Sequence, residues 1–425
     1  MDSTHSAPKP LNAPTIHKLA NGLTIIAEQM PVEAVNLNIW LPVGSRVEAD
    51  SINGMAHFLE HMVFKGTDQL AMGEFEERIE DRGAVTNAAT SQDYTHYYIT
   101  TAPKDFADLA PLQLEIVLKA TIPEEAFHKE KLVVLEEINR SDDSPQRRIY
   151  QKAIALACAE LPYRRPVLGP RQVIENLQPS QMQEFHRDWY HPGMMTAAVV
   201  GNLPVEEMIQ IITKAMDSRD YSTPSPQPLA VGAPETPFTE IIRQEFTDPG
   251  IQQARLIMVW RVPGFENIAQ TYPLDVLAVI LGQGKLSRLF QELREDKQLV
   301  TQIGVSNMTF QGQGVFYIGA QLPVENIPVV ESAIARHLEK LQKEFVTIAE
   351  IERVRTQVAN RFIFGNERPS DRAGLYGYYH SLLGDLNPAL TYPAIIQSLT
   401  PEDLQQAAQK YLNPTAYGIL AVKPG

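Results

Sequence analysis

Residues 57–61 read His-Phe-Leu-Glu-His. On a helix, His57 and His61 at i and i+4 project from one face, where both imidazoles can reach a single metal ion. Glu60 stands between them, close to that face without needing to ligate. It can take a proton from a water whose pKa a bound zinc lowers to about 7. This order, H-x-x-E-H, is the inverted form of the common zinc-protease helix. The chain contains 10 His in all. Two of them at this spacing around a Glu weigh against the plainer alternative, a pair of half-buried His hydrogen-bonded to backbone.

A catalytic zinc takes three protein ligands and keeps a position open for water. The segment Glu130 to Ile138 is a good source for the third. Glu130 and Glu137 are seven apart and share a helical face, whereas Glu136 points elsewhere. Leu132, Val133, Leu135 and Ile138 would bury much of this helix, and a carboxylate held there needs a partner such as a metal. A solvated acidic face is the alternative. His96 is a rival ligand, but in Asp93-Tyr94-Thr95-His96-Tyr97-Tyr98 it reads as a strand residue with a structural role.

These residues need a scaffold. Leu23 to Ala27 and the alternating Val35 to Trp40 read as strands. Gly54 to Lys65, Met72 to Arg82, Phe106 to Ala120 and Glu124 to Arg140 read as helices, and Tyr94 to Thr101 as a strand. Further on, strands are expected at Gln253 to Val262 and Val315 to Gln321. Helices are expected at Tyr272 to Leu281, Ser287 to Asp296, Ile327 to Phe345 and Ile348 to Arg361. The pattern is α+β, with helices grouped on a mainly antiparallel sheet. Residues 217–237, rich in Pro, Ser and charge, read as a linker. The expected organisation is a zinc-binding domain over 13–216, that linker, and a second domain over 238–425.

The two halves end alike. Leu177, Pro179 and Pro192 recur as Leu399, Pro401 and Pro414, all at an offset of 222. Each time Pro opens an amphipathic helix, Pro follows its end, and a strand comes next, as in Thr196 to Gly201 and Tyr417 to Val422. This predicts two duplicated domains. The second contains no His-x-x-Glu-His, and its Gly282-Gln283-Gly284 is weak as a phosphate loop.

Composition narrows the function classes. The formal charge of −14 argues against non-specific nucleic-acid binding, which needs a basic face. The single cysteine, Cys158, excludes a disulfide framework within the chain; it follows the apolar run Ala153 to Ala157 and reads as a core residue. No apolar run approaches a membrane span, and Met1 to Asn12 lacks the apolar stretch of a secretory signal. A soluble bacterial cytoplasm or organelle interior is therefore expected.

The longer context of the motif is specific. Leu41-Pro42-Val43-Gly44-Ser45-Arg46-Val47-Glu48 and Gly54 through Thr67 resemble the signature of the pitrilysin family of metallopeptidases. That family includes insulin-degrading enzyme and the mitochondrial processing peptidases. The similarity extends to Asn87-Ala88-Ala89-Thr90-Ser91, to Glu130 through Ile138, and to Tyr190-His191-Pro192. It covers nearly all of the first half, and the duplicated second half fits the family's paired domains.

The resemblance implies one Zn2+ per chain, held by His57, His61 and Glu137, the last standing 76 residues beyond His61. Glu60 would be the general base and Glu130 the carboxylate that orients a ligand from behind. Asn87, Ala88 and Ala89 would lie on an edge strand that pairs with an extended peptide substrate. Activity would be that of a metalloendopeptidase acting on peptides or presequences. The alternative is a non-catalytic core subunit of the same fold, a class that tends to lose the motif present here. Leu293 to Thr301 resembles a family segment in which an Arg is followed seven residues later by a Tyr that stabilises the oxyanion. Arg294 is present, but Thr301 stands at the Tyr position. A dimer is implied, and a heterodimer with a homologous subunit that keeps both Arg and Tyr would restore the missing group.

Overall fold

The computed structural model describes residues 13–217 and 232–425. Most of the expected linker and the polar first dozen residues lie outside the described residues. The chain divides into two compact units that interleave along the sequence. The first comprises Met1–Asn139, Arg165–Ala230 and Phe362–Leu390; the second comprises Arg140–Arg164, Val231–Arg361 and Thr391–Gly425.

Among the described residues the first unit carries six strands: β1 (Thr15–Lys18), β2 (Thr24–Gln29), β3 (Val35–Leu41), β4 (Val85–Thr90), β5 (Thr95–Thr101) and β6 (Thr196–Gly201). Their order is β1-β2-β6-β3-β5-β4, antiparallel throughout except for the parallel pair β2–β6. Along β2, Ile25 and Ala27 join one apolar core while Ile26 joins another. Both faces are covered, so β6 is buried along its whole length and reads as a continuous small and apolar run. The alternation expected of Val35 to Trp40 is real, but its polar face is also buried. Asn36 donates to the Thr100 hydroxyl at 2.9 Å, and Asn38 pairs with His96 at 3.0 Å.

The main core packs beneath α1 (Met55–Val63), α2 (Glu74–Glu80), α3 (Phe106–Lys119) and α4 (Glu124–Asp143). The opposite face is covered by the helix Pro369–Leu383 from the far half of the chain. Its Ala373 and Tyr376 pack with Ile26, Ala198 and Val200.

The second unit has β7 (Ile242–Asp248), β8 (Ala254–Val262), β9 (Gln302–Thr309), β10 (Gly314–Leu322) and β11 (Gly418–Pro424) in the order β7-β11-β8-β10-β9. β7–β11 is its one parallel pair. This repeats the order and sense of β2-β6-β3-β5-β4, and the duplication expected from the 222-residue offset is present. The helices Pro179–Trp189 and Pro401–Tyr411, and the starts of β6 and β11, keep that offset. Cys158 is buried, as its apolar run suggests. Among the described residues no helix is long and apolar enough to cross a membrane.

Candidate metal centre

The site begins with how α1 is anchored. The first N–H groups of a helix lack intrahelical acceptors. Here the buried Glu48 carboxylate accepts from the Gly54 and Ala56 backbones at 2.8 and 2.7 Å, and from Asn53 Nδ2 at 2.7 Å. Burial pushes the Glu48 carboxyl up, and these bonds oppose it. Gly54 has φ +96°, and a Cβ there would stand 2.6 Å from the Leu168 carbonyl oxygen, so this turn requires glycine.

His57 and His61 then share a face, with ring centroids 4.8 Å apart. α4 lies against α1 through Phe127 on Phe58, centroids 4.7 Å apart. Its buried face is Phe127, Val134 and Ile138, whereas Leu132 and Val133 are exposed, against the expectation that both are covered. Only one stripe of α4 meets the core, which leaves Glu130 and Glu137 half-buried at its border.

Glu137 Oε2 lies 3.4 Å from His57 Nε2 and 3.7 Å from His61 Nε2. These gaps are longer than an ordinary hydrogen bond. Donor atoms about 2.0–2.1 Å from a tetrahedral zinc stand about 3.4 Å from one another. The three residues form a group whose ligand atoms all lie within 4.8 Å. The donor set, two neutral imidazoles and a carboxylate, suits zinc. For Nε2 to ligate, Nδ1 must carry the proton. At His61 that proton has an acceptor, Glu130 Oε1 at 2.9 Å, and Glu130 Oε2 meets Lys65 Nζ at 2.7 Å. At His57, Nδ1 is buried and has no hydrogen-bond partner among the described residues.

The electrostatics follow. Burial, then the neighbouring His61, pushes His57 down to about 3, so it stays neutral. Burial also opposes charge on His61, but the Glu130 hydrogen bond and the surrounding carboxylates outweigh it, and its pKa is raised. The hydrogen bond to His61 leads in lowering Glu130. Glu60 is raised by burial, against the opposing hydrogen bond from Thr90 and the charge of His61.

Asn87, Ala88 and Ala89 lie on β4, which pairs only with β5 among the described residues and ends the sheet. β4 closes at Thr90, whose hydroxyl donates to Glu60 Oε2 at 2.5 Å. The Glu60 carboxylate also accepts from the Thr90 backbone, so both donors of Thr90 join the motif helix to the end of β4. His96 takes no part in the ligand group. Its Nδ1 faces Asn38 at 3.0 Å, and its ring stacks on Trp40 at 4.2 Å.

Arg294 belongs to the second unit, in a wide helical turn over Phe290–Asp296 where an ordinary helix was expected. Its guanidinium sits 4.6 Å above the Phe290 ring. The Thr301 hydroxyl is engaged locally, donating to Gln253 Oε1 at 2.7 Å. Reasoning from sequence alone misses Glu48, Lys65 and Thr90 as parts of the site. All three lie inside the stretches that carry the family resemblance, but no spacing rule marks them.

Comparison with known proteins finds relatives along nearly the whole chain. Residues 23–171 match the family model "Insulinase (Peptidase family M16)", and residues 176–358 match "Peptidase M16 inactive domain". Zinc protease PqqE of Helicobacter pylori is 30% identical over 419 residues, covering 96% of this chain and 92% of that protein. An uncharacterized zinc protease of Rickettsia bellii is 27% identical over 402 residues, covering 94% and 95%. The crystal structure of a protease from Helicobacter pylori superposes with a TM-score of 0.90 at 28% identity, over 98% of this chain and 100% of that one. A Pseudomonas fluorescens structure described as a peptidase M16 inactive domain shares the fold, with a TM-score of 0.85 at 21% identity over 98% of both chains. Two adjoining domain matches, and relatives aligned over more than nine-tenths of each partner, establish that the chain belongs to peptidase family M16, the pitrilysin-type metallopeptidases.

Proposed function

We propose that this chain is a zinc-dependent endopeptidase that cleaves peptides or presequences bound in extended form. The observation that carries the reading is the convergence of His57 Nε2, His61 Nε2 and Glu137 Oε2 at tetrahedral-edge spacing, with Glu60 on the same helix. Zinc held there would lower the pKa of a water and polarise the scissile carbonyl. Glu60 would take the proton of the attacking water and pass it to the leaving amine. Glu130 would fix the His61 tautomer and ring orientation. The free edge of β4 would add the substrate backbone as a further strand, reading main chain more than side chains.

Thr301 in place of a Tyr leaves one stabiliser of the oxyanion unaccounted for, a deficit of about 10²–10³ in rate. We infer that the chain works as a dimer, with a homologous partner that carries both Arg and Tyr supplying the group; Arg294 is the chain's own candidate for part of that role.

The test is to purify the chain, measure zinc, and assay an unstructured peptide pool with wild type and Glu60→Gln. About one zinc per chain is expected in both proteins, with turnover lower in Glu60→Gln by roughly 10² or more. Adding the homologous partner should raise wild-type turnover. A chain that takes up no zinc and cleaves nothing even with the partner would be a scaffold subunit instead.

A further inference from the structure

α1 fixes the Cα of Glu60 but not its carboxylate. A Glu side chain has three rotatable bonds, and a base must keep its oxygen within hydrogen-bond reach of the water it deprotonates. The structure shows what restrains it. The Thr90 hydroxyl donates to Glu60 Oε2 at 2.5 Å, and the Thr90 backbone N–H donates to the same carboxylate, a bond that side-chain substitution keeps. Thr90 Oγ1 lies 3.2 Å from Thr95 Oγ1, its neighbour across the β4–β5 pair. The Thr95 hydroxyl donates to the Val43 carbonyl at 2.8 Å and also meets the Tyr190 hydroxyl. Tyr190 and Tyr97 touch hydroxyl to hydroxyl at 3.1 Å. Thr95, Tyr97 and Tyr190 are each no more than 3% exposed. A file of hydroxyls therefore runs from Glu60 into the core.

The geometry points to Thr90 as the positioning residue for Glu60, with Thr95 and the Tyr97–Tyr190 pair packed behind its hydroxyl. This inference rests on Glu60 being the base of the proposed reaction. Three features fit the role. Thr is branched at Cβ, so few χ1 states are open to it on a strand. Its hydroxyl can donate to a carboxylate and, after rotation, accept from a carboxylic acid, so it serves Glu60 before and after proton transfer. Thr95 spends its own proton on Val43 and packs 3.2 Å behind the Thr90 hydroxyl, which leaves the Thr90 proton for Glu60.

Thr90→Val keeps shape and branching but has no side-chain donor, whereas Thr90→Ser keeps the hydroxyl. The zinc-loaded proteins are assayed with a quenched fluorogenic peptide of unstructured sequence. In Thr90→Val, kcat should fall by about tenfold or more, with KM and bound zinc unchanged. Thr90→Ser should recover to within about threefold of wild type. Crystal structures of zinc-free wild type and Thr90→Val give a readout independent of turnover, in which the Glu60 carboxylate should be displaced in the variant. A kcat in Thr90→Val within about twofold of wild type overturns the assignment, as does a Glu60 carboxylate that stays in place. A wild-type chain that cleaves no peptide counts instead against the peptidase reading, and the position of Glu60 in the two crystal structures still decides the role of Thr90.

Discussion

His57 and His61 occupy one helical face yet are held differently, and that difference is measurable. His61 has Glu130 behind it, and its raised pKa means that a proton must leave Nε2 before a metal can bind. His57, pushed down to about 3 by burial, carries no such proton above about pH 4. Zinc affinity should therefore rise with pH up to the raised pKa of His61 and level off above it, with a slope of about tenfold per pH unit on the acid side. Calorimetric zinc titration between about pH 6 and pH 8 checks this, and a flat profile would remove the proton from His61. Glu130→Ala should lower affinity by about 10–100-fold. It should also flatten the pH dependence, because the hydrogen bond that raises His61 is gone. Affinity lost without that flattening would mean that Glu130 acts on something other than His61. At this scale the sequence is highly legible where spacing carries information. The i, i+4 pair and the i, i+7 carboxylates define helical faces by their positions in the chain alone. Thr90 and Glu48 are illegible as parts of the site, because a lone polar residue takes its partner from tertiary contact.

Elements set how firmly those residues stand. α1 is short, and its start is closed by Glu48 rather than by a Ser or Asp at the cap position. A carboxylate in this place both satisfies the orphan N–H groups and complements the positive end of the helix. Glu48→Ala should destabilise the first unit by roughly 2–3 kcal/mol, since buried donors lose a charged acceptor. The shift in a denaturant midpoint would show it, and a change under about 1 kcal/mol would mean that water replaces the carboxylate. β4 offers a second test at this scale. Its residues alternate between exposed and half-buried, as an edge strand with one free side should. Peptides methylated at alternate backbone nitrogens should show a KM higher by about tenfold than the parent peptide, because the lost bonds are main-chain bonds. Equal KM values would move the substrate off β4. Periodicity finds the helices around the site and the strands β2, β3, β5, β8 and β10. It does not find α5 (Pro145–Ala157) or the helix Pro369–Leu383, and it mistakes exposed Leu132 and Val133 for core. Apolar type gives a residue's preference, but neighbours decide whether it is covered.

The whole molecule is a duplication in which the copies trade one helix. α5 sits in the first half of the sequence but packs on the second sheet, its Ala153 and Ile154 against Ile257, Val259 and Leu420. Its counterpart Pro369–Leu383 sits in the second half and covers the first sheet. The two are pinned alike. Each opens on Pro and carries Arg at its fourth position. Arg148 pairs with the buried Asp248 at 2.6 Å, and Arg372 pairs with the buried Glu28, which also accepts from the Tyr376 hydroxyl at 2.5 Å. The close approach leaves no slack, for a Cβ on Gly377 would stand 2.0 Å from the Trp40 indole. A cut within residues 218–231 should therefore sever the chain without parting either exchanged helix from the sheet it covers. With a protease site placed within 218–231 and cleaved, the fragments 13–216 and 238–425 should co-elute on size exclusion, keep zinc, and part only in denaturant. Expressed alone, 13–216 should bind a hydrophobic dye and aggregate, because Ile26, Ala198 and Val200 lose their cover. Co-expression with 238–425 should restore a soluble complex. Clean separation after cleavage, with each piece melting cooperatively by itself, would show that the exchanged helices are dispensable. Gly377→Ala, overpacked against Trp40, should weaken the reassembled complex while leaving the His57–His61–Glu137 spacing intact, since the added methyl lies on the sheet face opposite α1.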